Sequence, residues 1–322
     1  MRDVKKTELH LHLEGAAQPA FIRGIAAEKG VNLRGVFDEN GHYAYRDFND
    51  FLRVYEAATG VLKTPRDYAR LLQSVLEDCA ENGVIYAELF VSPEFCGGAD
   101  PSAWREYLHA MTEVAGAMRR QGIDSRGIVT MIRHFGPERG KKTAICAAET
   151  AGDWITGFGM GGAEDVGRAT DFAWGYDAAR EAGLGLTCHS GEWGAPDTIR
   201  ETLKLGVTRL GHGVRAAEDP ALVEELAEKG IVLEVCPGSN VALGVAPDWG
   251  AHPIARLRDA GVRVTVSTDD PPFFHTSMNH EYDRLADAFR WGEAEFDQIN
   301  QWAVDAAFCD AATRDRLRKE FA

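Results

Sequence analysis

Positive charge is scarce in this chain. Its 322 residues carry 35 Lys and Arg against 50 Asp and Glu, a net charge of −15 with histidine neutral. Such a surface repels phosphate, which argues against nucleic acid and anionic membranes as partners. No run of 18 apolar residues is present, so no membrane-spanning helix is expected. Cysteine is confined to six scattered positions, Cys79, Cys96, Cys146, Cys188, Cys236 and Cys309, with no Cys-x-x-Cys. Reduced thiols are expected rather than a disulfide framework. The opening residues Met1 to Lys6 lead straight into a strand-like run, with no room for a secretory signal, and the expected location is the cytoplasm. No low-complexity linker or domain boundary is evident, so residues 1–322 are expected to form a single domain. The composition, 45% hydrophobic and 26% charged, supports a core that needs no disulfides.

What is present is a repeated alternation. A helix-like stretch ends in Gly and is followed by an apolar, β-rich run, as at Gly83, Gly122, Gly183, Gly206, Gly230 and Gly261. Glycine just past a helix takes the left-handed conformation at little steric cost. The apolar runs after it read as buried parallel strands. Eight strands are expected, over 7–13, 84–90, 126–132, 155–159, 185–189, 208–211, 231–235 and 263–267. The spacing predicts a (β/α)8 TIM-type barrel with extra helices between strands 1 and 2. An open doubly wound sheet is the second reading, but strand 1 runs into His-Leu-Glu-Gly-Ala and not into a glycine-rich phosphate loop. The glycines around Gly157 to Gly162 have the wrong spacing for a dinucleotide fingerprint.

Polar residues gather where these strands end. Strand 1 carries His10 and His12, two residues apart and so on one side of a strand. Strand 5 ends in Cys188-His189-Ser190-Gly191-Glu192, strand 6 in Gly211-His212-Gly213, strand 7 in Cys236-Pro237-Gly238-Ser239-Asn240, and strand 8 in Thr268-Asp269-Asp270-Pro271. Each has an ordinary alternative taken singly. His212 between glycines suits a turn, Asp269-Asp270 before proline suits a helix cap, and Glu192 suits a solvated loop. Together, on the barrel face where chemistry resides, they form a candidate site. His42, His109, His134, His252, His275 and His280 read as surface or packing residues, with His134 and His275 nearest to strand ends.

The motifs ELHLHLEG, CHSGE, LGHG, CPGSN and STDDP, in that order from Glu8 to Pro272, resemble those of the adenosine/adenine deaminase family of the metal-dependent amidohydrolase superfamily. The resemblance implies one Zn2+ per chain held by His10, His12, His189 and Asp269. Three imidazoles and a carboxylate suit that ion, which acidifies a bound water. The resemblance also implies catalytic roles for Glu192, His212 and Asp269. Glu192, protonated, would serve purine N1, while His212 and Asp269 would take or orient the water proton. Asp270 would meet N7 and a backbone N–H, that of Gly162, would meet N3. A helix around Phe48, Phe51 and Leu52 resembles the family's apolar lid; an ordinary amphipathic face is the equal alternative. The segment Thr156 to Gly161 offers neither lysine nor acid for a second metal, and Cys236-Pro237 does not match the Pro-Cys-x-x-Cys of another zinc deaminase class.

Substrate identity turns on departures from the family pattern. Glu14 stands where nucleoside-specific members carry Asp to reach the ribose, and Glu is common in members taking free adenine. Ser190 stands where the family has Ala, and Ala163 replaces a frequent acid before Glu164. The favoured expectation is hydrolysis of adenosine and 2′-deoxyadenosine to inosine and 2′-deoxyinosine with release of ammonia, a purine-salvage reaction. Deamination of free adenine, or of another 6-aminopurine, is the alternative. A non-catalytic zinc-binding barrel is the reading from another class; retention of Glu192 and His212 speaks against it. The partner is a small purine, and the sequence leaves the oligomeric state open.

Overall fold

The apolar runs become eight strands in the computed structural model, which describes residues 4–321. They are β1 (Lys6–His12), β2 (Val84–Val91), β3 (Asp124–Ile132), β4 (Ile155–Gly161), β5 (Gly185–Ser190), β6 (Arg209–His212), β7 (Val232–Val235) and β8 (Arg263–Val266). They pair in parallel in the order β1 to β8. The ring nearly closes where the end of β8 meets β1: His12 N–H donates to the Asp269 carbonyl at 3.0 Å and Asp269 N–H to the His10 carbonyl at 3.1 Å. This is the expected (β/α)8 barrel. Met1, Arg2 and Asp3, part of the lead-in read above, lie outside the described residues.

Three helices fill the long connection from β1 to β2, as expected: α1 (Pro19–Lys29), α2 (Phe48–Thr59) and α3 (Pro65–Glu81). The remaining helices are α4 (Pro101–Arg120), α5 (Pro137–Glu149), α6 (Ala173–Glu181), α7 (Pro196–Leu203), α8 (Pro220–Lys229), α9 (Pro237–Ala242), α10 (Ile254–Asp259), α11 (Pro271–Phe274), α12 (Met278–Phe289), α13 (Glu293–Ala306) and α14 (Ala311–Arg318). Local chemistry sets their ends. Thr64 and Asp67 form a reciprocal capping box at the start of α3, and Asp219 caps α8. At the end of α8, Gly230 is left-handed with φ +65°, and its N–H returns to the Ala227 carbonyl. Two strands exceed the expected bounds by two residues. β3 starts at Asp124 and β4 runs to Gly161, because Asp-Ser-Arg and Gly-Met-Gly pair through their backbones without an apolar signal. Among the described residues no helix is long and apolar enough to cross a membrane, and all six cysteines are free thiols.

The barrel interior contains buried charge. Arg209 of β6 forms an ion pair through Nη1 with Glu88 of β2 at 2.7 Å and donates from Nε to Glu234 of β7 at 2.6 Å. Its guanidinium also lies over the Phe308 ring, 3.6 Å from the centroid. Desolvating such a group is costly, and an apolar replacement of the set is often neutral or stabilising. Stability alone therefore does not explain the triad. Its far end leads into the site.

Candidate active site

His10 and His12 share one side of β1 and project toward the barrel mouth, where His189 arrives from β5 and Asp269 from the segment after β8. The Nε2 atoms of His12 and His189 lie 3.1 Å apart. Asp269 Oδ1 lies 3.2 Å from His12 Nε2 and 3.5 Å from His10 Nε2. His10 Nε2 is buried and has no hydrogen-bond partner. Gly211 makes the crowding possible, since a Cβ there would sit 2.8 Å from His10 Cε1 and 3.1 Å from the His189 backbone. Burial alone would drive His10 toward neutrality, but the Asp269 carboxylate beside its ring and the hydrogen-bonded Glu234 carboxylate lift it to about 9. Burial lowers His12 and His189. Burial opposes charge on Asp269 as well, yet the His10 and His12 rings beside it hold its carboxyl well below the usual range.

Ligand atoms of His10, His189, His212 and Asp269 all lie within 4.8 Å of one another, and those of His12, Asp269 and Asp270 form a second such group. These nitrogens, one of them orphaned, around an ionised carboxylate fit a divalent cation that would displace the His10 proton. The orientation of His10 is fixed from behind. Its Nδ1–H donates to Glu234 Oε2 at 2.8 Å, which leaves Nε2 with a lone pair toward the site. Glu234 is held in turn by Thr187 at 2.9 Å and by Arg209. Ser239 donates to Asp269 Oδ2 at 2.7 Å.

The candidate acid–base residues lie beside this cluster. His212 Nε2 is 3.6 Å from Glu192 Oε2 and 3.9 Å from Asp269 Oδ2. Its tautomer follows from a chain anchored on a backbone donor. Ile254 N–H donates to His252 Nδ1 at 3.2 Å, so neutral His252 carries its proton on Nε2 and gives it to Asn240 Oδ1 at 3.1 Å. The Asn240 amide then faces His212 Nδ1 at 3.3 Å, which places the His212 proton on Nε2, toward Glu192 and Asp269. Burial keeps both rings neutral, at about 3. Burial, reinforced by nearby negative charge, raises the Glu192 and Asp270 carboxyls well above their usual range. His212 and Asp269 both adopt positive φ, +61° and +68°, a strain that non-glycine residues carry mainly at functional positions.

A cavity of about 640 Å3 opens over these groups. Phe51 and Leu52 of α2 line it together with Phe48 and Tyr55, so the lid-like helix faces the site. Gly162 lines it too; its φ is +95°, and a Cβ there would sit 2.7 Å from His134 Nδ1. Asp270 Oδ1 is buried and unpartnered. It packs so closely on Gly15 that a Cβ there would lie 1.5 Å away. Glu14 is placed differently. It does not line the cavity; its carboxyl accepts from Tyr68 at 3.0 Å and Tyr55 at 3.4 Å, behind the Tyr55 ring. Ser190 accepts from Thr202 at 3.0 Å, on the α7 side.

Several functional residues escape sequence reasoning. His134, read as a surface or packing residue, lines the cavity and pairs with Glu56 of α2 at 3.2 Å, because the turn after β3 curls over the barrel mouth. His252, read the same way, is the second link of the His212 chain. Glu234 left one signal, a lone charge inside an apolar run. His109 is exposed, as expected.

A sequence model of the family described as adenosine deaminase matches residues 5–322. A protein of Agrobacterium fabrum named adenine deaminase is 46% identical over 318 residues, 97% of this chain and 96% of its own. One of Rhizobium rhizogenes with the same name is 47% identical over 317 residues, 98% of each chain. The crystal structure of an adenine deaminase from Arthrobacter aurescens superposes with a TM-score of 0.91 at 27% identity, covering 99% of this chain and 98% of that one. A zinc-bound amidohydrolase from Burkholderia ambifaria superposes at 0.88 with 25% identity, covering 99% and 89%. These relatives overturn the expectation of adenosine and 2′-deoxyadenosine as substrates. That expectation leaned on the general abundance of nucleoside deaminases and on the lid-like helix, which walls a base-sized cavity as readily as a nucleoside-sized one. The Glu14 signal, which pointed the other way, carried more of the information.

Proposed function

We propose, from the premise that this chain belongs to the adenosine deaminase family and is a hydrolytic deaminase, that its substrate is free adenine, converted to hypoxanthine and ammonia. The observation that carries this is near-full-length similarity to proteins named for that reaction. The Glu14 carboxyl, turned away from the cavity and engaged by Tyr55 and Tyr68, agrees with it, since no acid is left there to take a sugar hydroxyl.

His10, His12, His189 and Asp269 would hold a zinc ion, which supplies a water acidified to near neutrality. The chain's own residues do the rest. Phe48, Phe51 and Leu52 cover the ring and keep bulk water out. Glu192, protonated through burial, gives its proton to N1, and C6 becomes electrophilic. Asp270, also protonated, donates to N7, while Gly162 N–H meets N3. Asp269, ionised, accepts the proton of the attacking water. His212, with its proton on Nε2, donates to the oxygen arriving at C6 and stabilises the charge that develops there. The proton held by Asp269 then passes to the amino group, which leaves as ammonia, and the C6 hydroxyl proton returns to Glu192 as the carbonyl forms. The six free thiols and the purine substrate suit a cytoplasmic enzyme.

The test is product identity. Zinc-loaded protein incubated with adenine should give hypoxanthine and ammonia in equal amounts. No hypoxanthine at one zinc per chain would sink the assignment.

A further inference from the structure

Glu164 lies on the segment after β4, outside the set that meets substrate, and is almost fully buried at 5% exposure. Its carboxylate gathers four consecutive backbone donors from the neighbouring loop. Gly191 N–H donates to Oε1 at 2.6 Å; Glu192, Trp193 and Gly194 N–H donate to Oε2 at 3.1, 2.8 and 2.9 Å. Thr198 adds a hydroxyl bond at 3.2 Å. Successive N–H groups curled around one anion form a backbone nest, and here the anion is a side chain of the protein. The loop closes on it tightly. A Cβ at Gly194 would lie 2.4 Å from Glu164 Oε1, and Gly191 bends the loop at φ +76°. Without the carboxylate, four donors of the loop carrying Glu192 lose their acceptor, and the curl has nothing to close upon.

We propose that Glu164 is the positioning residue of Glu192: by gathering the N–H groups of residues 191–194 it fixes the direction in which the Glu192 carboxyl enters the cavity beside His212. The inference rests on the reading that Glu192 donates to the purine. Glu164 touches no substrate and acts only through the loop.

The role predicts dependence between the two glutamates. In zinc-loaded protein, Glu164→Gln places an amide N–H2 against backbone donors and should lower kcat by about 10²-fold, the cost of a misplaced catalytic group, with KM within about threefold. In a Glu192→Gln background the same change should cost less than about twofold, because the group being positioned is already disabled. A full multiplicative loss in that background, or an unaltered kcat in the single variant, overturns the proposal. Gly194→Ala tests it from the other side should Glu164→Gln fold poorly. The added methyl pushes on the same carboxylate, and a kcat loss of about tenfold, again masked by Glu192→Gln, is expected. Rates are compared on the best 6-aminopurine substrate. A wrong substrate assignment then shows in the wild-type rate, and a wrong role for Glu164 shows in the variant cycle.

Discussion

Replacing Glu234 with Gln separates the two things its carboxylate does. Oε2 accepts from His10 Nδ1 at 2.8 Å and so aims the Nε2 lone pair of a proposed metal ligand. Oε1 accepts from Arg209 and Thr187 inside the barrel. Gln keeps one acceptor oxygen but turns a donor toward residues that are themselves donors. Arg209 keeps Glu88 at 2.7 Å, so the charge loss is not complete. The stability cost belongs at the low end for a broken buried pair, about 3 kcal/mol. The metal cost is that of losing an outer-shell partner, about 10- to 100-fold in affinity. Denaturant unfolding of the metal-free protein reads the first effect, and competition with a zinc chelator reads the second. A stability loss with unaltered zinc affinity would refute the aiming role and leave Glu234 as barrel filling. Weaker zinc binding at unaltered stability would refute the structural half.

Other perturbations probe the remaining claims. Glu192→Gln should retain zinc and substrate binding but lose turnover by about 10²- to 10⁴-fold, the usual worth of a general acid; loss of zinc in that variant would make Glu192 structural. Glu14→Asp, a methylene shorter, withdraws from Tyr55 and should raise the adenosine-to-adenine ratio of kcat/KM, whereas an unaltered ratio removes Glu14 and Tyr55 from the specificity argument. Glu281 is buried, and burial lifts its carboxyl from 4.5 to about 8 against hydrogen bonds from Thr276 and Gly238. The folded chain therefore holds a proton that the unfolded chain releases above 4.5. Glu281 stabilises the fold at low pH, and that contribution is lost as pH rises toward 8, at about 1.4 kcal/mol per pH unit. Glu281→Gln, which mimics the protonated form, should gain on wild type progressively between pH 5 and pH 8 in denaturant unfolding; parallel stabilities would contradict the shift.

The barrel was legible because its signals are local. Glycine caps and apolar runs repeat along the chain, and the two-residue period of β1 alone puts His10 and His12 on one side. That the candidate ligand and acid–base residues come together was legible because the fold collects strand ends at one mouth. What stayed hidden depends on contacts distant in sequence. Glu234 meets His10 across 224 positions, and which side of β7 faces β1 is a property of the closed ring. His134 and Glu56 approach across 78 positions, through two loop paths with no sequence period. His212 and His252 are joined only through Asn240. Glu14 sat in a readable motif, but its direction depends on Tyr55 and Tyr68, carried by helices whose placement the motif does not encode.

The central claim is that this site takes the free base. Its most direct test is kcat/KM for adenine and adenosine with the same zinc-loaded preparation. The account predicts a preference for adenine of at least about 10²-fold, as expected where the Glu14 carboxyl is engaged by Tyr55 and Tyr68 and takes no sugar hydroxyl. Adenosine turned over as well as adenine, or better, would contradict it.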